Sequence, residues 1–337
     1  MPTELATRTL TTAAAINEAL AGEMERDPSV IVLGEDVGHH GGMFAVTRGL
    51  LDRFGARRVI DTPISETGFI GAAIGAAIMG MRPVAEIMYV DFTGVCLDQI
   101  INHAAKMRYM SGGQLKVPLV IRTNQGAGKG TASQHSQTLE TIFAHIPGLK
   151  VVLPATPADA KGLLTTAIRD DNPVIFLEHK ALYAVRGEVP EGEYTIPFGK
   201  ARIAREGTDV TVVALARMNL YAEQAAQVLA GEGISVEIVD PRTLTPFDTE
   251  TVCASVARTH RLLVVEEAVA WSSVGGAIVQ RVVDEAFDEL DAPPRLIGAR
   301  FTPVPYAESL EGEALPGPET IADAVRALVG RERPQGE

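Results

Sequence analysis

Short apolar runs alternate with longer amphipathic stretches along most of the chain. The apolar run SVIVL at residues 29–33 is bounded by polar turns and predicts a strand that is buried on both faces. Residues 11–26 carry apolar side chains near a 3.6-residue spacing, which predicts a helix. Because strands alternate with helices, the pattern predicts the α/β class, with mainly parallel sheets covered by helices on both faces.

Two series of such elements are separated by a segment of different character. The first series predicts strands at 59–60, 83–90, 118–121, 149–153 and 174–177, and helices at 69–79, 95–110, 139–144 and 157–169. The second predicts strands at 209–214, 235–239, 261–265 and 295–297, and helices at 222–230, 249–257, 274–287 and 319–329. Between the series, Pro, Gly and Glu cluster with little periodicity. We therefore predict two doubly wound domains at residues 1–184 and 207–330, a linker at 185–206 and a frayed tail at 331–337.

Composition narrows the class of protein. The 337 residues are 46% hydrophobic and 22% charged, which are globular proportions. The net charge of -13 repels phosphate backbones, so nucleic acid is not an expected partner. The two cysteines lie far apart and indicate a reducing compartment rather than a disulfide framework. The uncharged stretch at residues 67–81 is shorter than the roughly 20 residues of a membrane span, so we expect a cytoplasmic protein with no membrane partner.

A glycine-rich segment, RTNQGAGKGT at residues 122–131, follows a predicted strand and resembles a phosphate-binding loop. It departs from that pattern at two positions. Thr123 stands where the first glycine is required, and Gly130 follows Lys129 where a Ser or Thr would hold magnesium. We interpret the segment as a flexible loop that shapes the wall of an active site.

The most informative segment is DTPISETGF at residues 61–69. A strand end and a proline are followed by a carboxylate and then by a helix of small residues, which places Glu66 at a strand-to-helix turn. Taken alone, Ser65 and Glu66 also suit the capped start of a helix. Small residues recur four apart over residues 68–77 and fit either a tight helix contact within the domain or a subunit interface.

The segment resembles the motif of the beta subunits of thiamine-diphosphate-dependent 2-oxo acid dehydrogenases, which are transketolase-like. The resemblance continues in order through DQIIN (98–102), AAKMRY (104–109), QHSQ (134–137), HIPGLK (145–150), DDNP (170–173) and DPRT (240–243). It implies a transketolase-like pyrimidine-binding domain followed by a transketolase C-terminal-like domain.

The resemblance also implies roles for single residues. Glu66 matches the carboxylate that hydrogen-bonds to N1′ of the thiamine aminopyrimidine and so drives removal of the proton from C2. Ile64, Met88 and Phe92 match positions that pack around the pyrimidine. His135 matches a histidine near the reacting end of the cofactor, which assists the lipoyl reaction or stabilises charged intermediates. A loop histidine with a purely structural role is the alternative.

Metal sites follow from the same resemblance. The positions whose oxygens, mostly backbone, hold a structural potassium ion in relatives are matched by Leu119, Ala167, Ile168, Asp170 and Asn172. An ordinary helix-to-strand turn is the alternative there. The Gly-Asp-Gly motif that binds Mg²⁺ and the diphosphate in single-chain thiamine enzymes is absent from the sequence. The resemblance therefore implies an alpha subunit that holds Mg²⁺ and shares the thiamine diphosphate in an α2β2 assembly.

The implied reaction forms a hydroxyalkyl-thiamine intermediate and transfers its acyl group to lipoamide on a lipoyl-bearing acyltransferase core. Phe92 stands where branched-chain relatives often carry Tyr, which favours a pyruvate or acetoin dehydrogenase over a branched-chain 2-oxo acid dehydrogenase. A stand-alone transketolase-like synthase is disfavoured by chain length, and a non-catalytic module leaves residues 61–69 unexplained. We also hypothesise that Glu266, Glu267 and Trp271 lie on the surface that docks the core.

Overall fold

The computed structural model describes residues 6–330, and these form two compact units. The first unit comprises residues 6–125 and Ile142–Phe198, and the second comprises Gly126–Thr141 and residues 199–330. Both contain mainly parallel sheets with helices, which confirms the predicted α/β class. The predicted tail at residues 331–337 lies outside the described residues.

The first unit contains strands β1 to β8 and most of the helices up to α6. Its strands are β1 (Thr7–Thr11), β2 (Val30–Gly34), β3 (Val59–Asp61), β4 (Arg82–Ile87), β5 (Val120–Gln125), β6 (Lys150–Val152), β7 (Val174–His179) and β8 (Arg186–Pro190). Its helices are α1 (Thr12–Arg26), α2 (Leu50–Phe54), α3 (Glu66–Ile78), α4 (Met107–Met110) and α6 (Pro157–Arg169), with a 3-10 turn at Lys180–Leu182. Helix α5 (Glu140–Ala144) crosses the boundary between the units.

Six of these strands lie side by side in the order β6-β7-β5-β4-β2-β3, and each neighbouring pair is parallel. All residues of β2, β5 and β7 are buried, which explains the apolar runs of β2 and of the first part of β7. Strand β5 is equally buried, but its second half is polar. Helices α1 and α6 pack on this sheet through a shared apolar core that includes Leu20 and Leu163. The parallel arrangement brings the carboxyl ends of the strands to one edge of the sheet.

The predicted helix at residues 95–110 is wrong in its type and continuity. The chain forms a 3-10 helix at Val90–Cys96, a π-helix at Gln99–Ala104 and then the short helix α4. The Thr93 hydroxyl donates to the Val90 carbonyl at 2.6 Å, and the Ala105 amide reaches back five residues to the Ile100 carbonyl at 3.1 Å. These bonds replace the regular four-residue spacing that the apolar periodicity suggests.

The second unit has its own sheet and core. Its strands are β9 (Arg202–Arg205), β10 (Val210–Ala214), β11 (Val236–Asp240), β12 (Thr243–Thr245), β13 (Leu262–Val269) and β14 (Arg295–Ala299). Its helices are α7 (Met218–Gly231), α8 (Thr249–Thr259), α9 (Val274–Ala286), α10 (Glu308–Ala314) and α11 (Pro318–Leu328), with 3-10 turns at Ser133–His135 and Phe287–Glu289. The sheet order is β14-β13-β10-β11-β9, in which β9 alone pairs antiparallel among the described pairings.

Residues 185–206, which the sequence pattern assigns to a linker, contain two strands. Strand β8 pairs antiparallel with β1, and β9 pairs antiparallel with β11. Neither strand has a strong alternation of apolar and polar residues, because both are short and only partly buried. Their partners lie far away in sequence, so the composition of the segment alone does not reveal them.

Candidate active site

The carboxyl ends of β2 and β3 and the start of α3 place acidic side chains at one edge of the first sheet. Glu35 directly follows β2, Asp61 ends β3 and Glu66 begins α3. Strands β2 and β3 are parallel, with Gly34 opposite Asp61, so these ends are adjacent. Glu66 is only 7% exposed although it lies at a helix start, where carboxylates are usually solvated. A buried carboxylate at this edge is suited to proton chemistry rather than to surface charge.

Ser65 does not cap α3 with its side chain. Its hydroxyl donates to the Pro63 carbonyl at 3.2 Å, and its backbone carbonyl accepts from the amides of Gly68 and Phe69 at 2.8 and 3.0 Å. The capping interpretation of the motif is therefore wrong for Ser65. The residues before Glu66 form a tight turn that presents the carboxylate at the first position of the helix.

Two titratable groups lie close enough to Glu66 to be affected by its charge. Burial raises the pKa of Glu35, and the neighbouring carboxylates of Glu66 and Asp36 raise it further. One oxygen of Glu35, Oε1, is buried without a hydrogen-bond partner among the described residues. Burial also raises the pKa of Cys96 to about 12, with Glu66 adding to the effect, so this thiol stays neutral. Glu35 is therefore a carboxyl group of raised pKa in the neighbourhood of Glu66.

The predicted pyrimidine-packing residues lie in the same unit as Glu66. Ile64 is 84% exposed and stands two residues before it, an unusual position for a large apolar side chain. Met88 and Phe92 are half-buried and follow the carboxyl end of β4, next to β2 in the sheet. The Met88 carbonyl accepts from the Asn124 side-chain amide, and the Phe92 ring packs edge-on against Tyr89 at a centroid distance of 6.1 Å. Apolar surface thus lies at the same sheet edge as the buried carboxylate.

Beneath this edge lies a buried ionic network that the sequence pattern did not reveal. Arg122 in β5 donates through Nε and Nη2 to the two oxygens of Glu178, both at 2.7 Å, and through Nη1 to Glu86 at 2.6 Å. The Tyr183 hydroxyl donates to the same Glu178 carboxylate at 2.6 Å. Burial lowers the pKa of Arg122, but the two carboxylates raise it by more, so Arg122 stays charged, whereas burial raises the pKa of its partner Glu86. It fixes the strands β4, β5 and β7 directly below the site.

His135 lies in the second unit, on the loop Gly126–Thr141. It ends a 3-10 turn and is half-buried. Its backbone carbonyl accepts a hydrogen bond from the Thr131 hydroxyl at 3.0 Å, and the same hydroxyl lies 2.9 Å from Ser136 Oγ. The structure therefore places Glu66 and His135 in different units, and the histidine on a loop with defined internal hydrogen bonds.

The five predicted potassium ligands lie in the first unit, around the turn from α6 to β7 and just before β5. The carbonyls of Ile168 and Asp170 both accept from Arg82 Nη1 at 3.0 Å. The carboxylate of Asp170 accepts from the backbone and side-chain amides of Asn172 at 2.8 Å. The Leu119 carbonyl accepts from the Val174 amide at 2.9 Å. The turn therefore directs at least two carbonyl oxygens towards one positive charge, which here is the guanidinium of Arg82.

Three further findings concern metal groups, membrane spans and the hypothesised docking surface. Over residues 6–330, His, Cys, Asp and Glu form no group of three or more that could hold a metal ion. None of the helices in that range has the length and hydropathy of a membrane span. Glu266 and Glu267 are 0% and 6% exposed, so the hypothesis that they form part of a docking surface is wrong, whereas Trp271 is 78% exposed.

Comparison with known families agrees with this arrangement of two units. Residues 8–186 match the family described as transketolase, pyrimidine binding domain, and residues 199–321 match transketolase, C-terminal domain. A split-gene transketolase described as an inactive beta4 tetramer has a TM-score of 0.78 at 23% identity, covering 96% of this chain and 99% of that chain. A transketolase mutant from Pichia stipitis has a TM-score of 0.71 at 15% identity, covering 98% of this chain and 46% of that one. The fold is thus that of a transketolase-like protein with a pyrimidine-binding and a C-terminal domain.

Curated relatives define the family more narrowly. The beta subunit of an acetoin:2,6-dichlorophenolindophenol oxidoreductase from Cupriavidus necator is 52% identical, covering 95% of this chain and 97% of the relative. The corresponding subunit from Bacillus subtilis is 47% identical, covering 96% and 98%. The beta subunit of a pyruvate dehydrogenase E1 component from Rhizobium meliloti is 50% identical, covering 97% and 71%. The chain belongs to this family of acetoin and pyruvate dehydrogenase beta subunits, which confirms the resemblance predicted from residues 61–69.

Proposed function

We propose that this chain is the beta subunit of a thiamine-diphosphate-dependent acetoin or pyruvate dehydrogenase and that Glu66 is its proton-relay residue. The observation that carries the proposal is the burial of Glu66 at the first position of α3, at the strand ends of a pyrimidine-binding domain. The cytoplasmic location predicted from the sequence stays a prediction.

The residues around Glu66 fit a flat heteroaromatic ring. The exposed side chain of Ile64 provides an apolar surface beside the carboxylate, and Met88 and Phe92 add apolar surface from the end of β4. Glu35 has a buried oxygen without a hydrogen-bond partner among the described residues. Such an orphaned oxygen is usual where a ligand or water completes the site.

Thiamine diphosphate, when bound, supplies a thiazolium carbon acid whose conjugate base attacks the carbonyl group of the substrate. In this proposal Glu66 holds a proton at N1′ of the pyrimidine, and Glu35 exchanges protons with Glu66. Ile64, Met88 and Phe92 orient the ring and exclude water from it. His135 holds or donates a proton at the acyl-transfer step to lipoamide on the acyltransferase core.

The alpha subunit is the proposed partner for the diphosphate and Mg²⁺, in an α2β2 assembly as the resemblance implies. Helix α3 supports such an interface, because its small residues Gly68, Ala72 and Gly75 are exposed on the described surface of this chain. The alternative in which this stripe makes a helix contact within the domain does not account for that exposure. Close approach of a partner backbone is what a stripe of small residues permits.

A potassium ion is proposed at the turn that follows α6. The support is that the carbonyls of Ile168 and Asp170 both accept from one cationic group, Arg82 Nη1, at 3.0 Å, so a bound potassium ion would take the place of that group. Thermal unfolding in potassium chloride and in choline chloride tests this proposal. A higher Tm in potassium chloride supports a bound ion, and equal values would leave Arg82 as the resident cation.

Reconstitution with an alpha subunit tests the function itself. The purified chain, mixed with the alpha subunit, Mg²⁺ and thiamine diphosphate, is expected to reduce 2,6-dichlorophenolindophenol with acetoin or pyruvate. The values of kcat/KM for acetoin and for pyruvate, measured separately, identify the acyl donor. Activity of this chain without an alpha subunit would instead favour a stand-alone synthase, and inactivity of the mixture with both substrates would reject the proposal.

A further inference from the structure

Two successive backbone amides of the glycine-rich loop donate to carboxylates of the second unit. The Ala127 amide donates to Glu267 Oε1 at 2.6 Å, and the Gly128 amide donates to Glu311 Oε1 at 2.9 Å. Both glutamates are buried, at 6% and 4% exposure. Successive amides in glycine-rich loops commonly bind anions such as phosphate. Here the anions are side chains of the same chain, which explains why the segment resembles a phosphate-binding loop without being one.

Arg217 binds the carbonyl side of the peptide group between Ala127 and Gly128. Arg217 Nη1 donates to the Ala127 carbonyl at 3.3 Å, and its guanidinium lies 3.9 Å from the Glu267 carboxylate. Gly128 has φ +89°, and a Cβ atom there would lie 2.3 Å from Arg217 Nη1. Only glycine allows both this backbone conformation and the close approach of the guanidinium. The peptide group between Ala127 and Gly128 is therefore bound by Arg217 at its carbonyl and by Glu311 at its amide.

The hydrogen-bonded amides of Ala127 and Gly128 lie at the start of the loop that carries His135, and further contacts determine the shape of this loop. The Gly126 amide donates to the Gln137 carbonyl at 2.9 Å, which closes the base of the loop. Ser133 Oγ donates to the Val304 carbonyl at 2.7 Å. Between them Ala132 has φ 59° and ψ −172°, a conformation that residues with a side chain rarely adopt. Such a conformation persists only where surrounding contacts impose it.

We propose that Glu267 and Glu311 are positioning residues that hold the loop in the conformation in which His135 acts. The proposal rests on the proposed function, because it assigns His135 to the acyl-transfer step. Hydrogen bonds from amides to carboxylates are stronger than those to neutral acceptors, so loss of either glutamate frees the loop. A displacement of a catalytic group by about 1 Å can lower a rate about 10²-fold.

Trypsin reports directly on the loop, because Lys129 lies within it and is exposed. In the full-length chain, Glu267→Ala and Glu311→Ala are expected to increase the rate of cleavage after Lys129, since cleavage requires the loop to leave its folded conformation. Glu267→Gln keeps an oxygen acceptor for the Ala127 amide and is expected to restore slow cleavage. Glu313→Ala is the matched control, because Glu313 lies in the same helix as Glu311 but is exposed.

Kinetics of the complex with the alpha subunit separate positioning from general destabilisation. We expect Glu267→Ala and Glu311→Ala to lower acyl transfer to free lipoamide by about 10- to 100-fold. Exchange of the C2 proton of bound thiamine diphosphate, which depends on Glu66, is expected to stay at the wild-type rate. Glu267→Gln is expected to recover most of the acyl transfer.

Two results would overturn the positioning role. One is cleavage and acyl transfer in both alanine variants equal to those of Glu313→Ala. The other is a parallel loss of C2 exchange and acyl transfer, which would indicate a structural role. If Glu267→Ala does not fold, Glu311→Ala and Glu267→Gln decide the same question. Absence of C2 exchange in the wild-type complex would reject the proposed function, while the trypsin comparison would still decide whether the glutamates hold the loop.

Discussion

Glu35 and Glu66 follow different elements of the chain, the strand β2 and the turn before α3, yet the charge of Glu66 acts on the carboxyl group of Glu35. Burial and the nearby charge of Glu66 raise the pKa of Glu35, so Glu35 keeps its proton to a higher pH than an exposed glutamate. The site therefore holds a second carboxyl group, of raised pKa, near the residue proposed to protonate the cofactor ring.

We predict that Glu35→Gln removes one ionisation from the kcat–pH profile. Burial and the charge of Glu66 raise the pKa of Glu35, so this carboxyl group ionises at a higher pH than an exposed glutamate. A glutamine at this position does not ionise, so the limb that Glu35 contributes to the profile is expected to disappear. The rate of dye reduction between pH 5 and pH 8 measures the change. Asp52→Asn, a change at an exposed carboxylate that does not act on Glu35, serves as the control, and coincident profiles for the two variants would contradict a role for Glu35.

We predict that Arg122→Met destabilises the chain by about 3–5 kcal/mol, because it leaves buried Glu178 without its ionic partner. Urea unfolding measures the free energy, and Arg57→Met, at an exposed arginine, is the matched control. Adding Glu178→Gln to Arg122→Met is expected to recover part of the loss, since it removes the uncompensated charge. Equal stability of Arg122→Met and the control would show that the network contributes nothing.

The ionisation of Glu266 makes the free energy of unfolding depend on pH. It is fully buried, and burial raises its pKa to about 7, although Ser273 and the Gly275 amide donate hydrogen bonds to it. The folded state binds the proton of the Glu266 carboxyl group more tightly than the unfolded state does. The resulting stabilisation is therefore complete below about pH 4.5, the pKa in the unfolded chain, and is lost as the pH rises through about 7, the pKa in the folded protein.

We therefore predict that Glu266→Gln gains stability relative to the wild type as the pH rises. Between pH 5.5 and pH 8.5 the difference in the free energy of unfolding is expected to move by about 2 kcal/mol in favour of the variant. Urea unfolding of both proteins at several pH values measures it. A difference that stays constant with pH would mean that Glu266 does not titrate in this range.

The sequence pattern predicted those features that depend on neighbours close along the chain. The buried strands were visible as apolar runs, and the turn that presents Glu66 was visible because a strand end, a proline and a helix start follow each other within residues 61–69. The family resemblance was carried by the same segment. Local periodicity was misleading at residues 95–110, where the end of a 3-10 helix, a π-helix and a short α-helix replace the single helix it predicts.

Features that depend on distant pairings could not be predicted in this way. Arg122 and Glu178 are 56 positions apart, and Ala127 and Glu267 are 140 positions apart. The sequence near Glu178 or Glu267 does not indicate these partners, because the sheet and the loop bring them together only in the fold. The neighbourhood of Glu35 and Glu66 is equally invisible in the sequence, since Glu66 begins a different element.

The most direct test of the account is the exchange of the C2 proton of thiamine diphosphate bound to the reconstituted complex of Glu66→Gln. Glutamine keeps the size of the side chain but cannot supply the acidic proton, so the complex is expected to assemble with unchanged affinity for the cofactor. Hydrogen–deuterium exchange followed by NMR is expected to slow by about 10²–10⁴-fold relative to the wild type. Exchange at the wild-type rate would contradict the assignment of Glu66 as the proton relay.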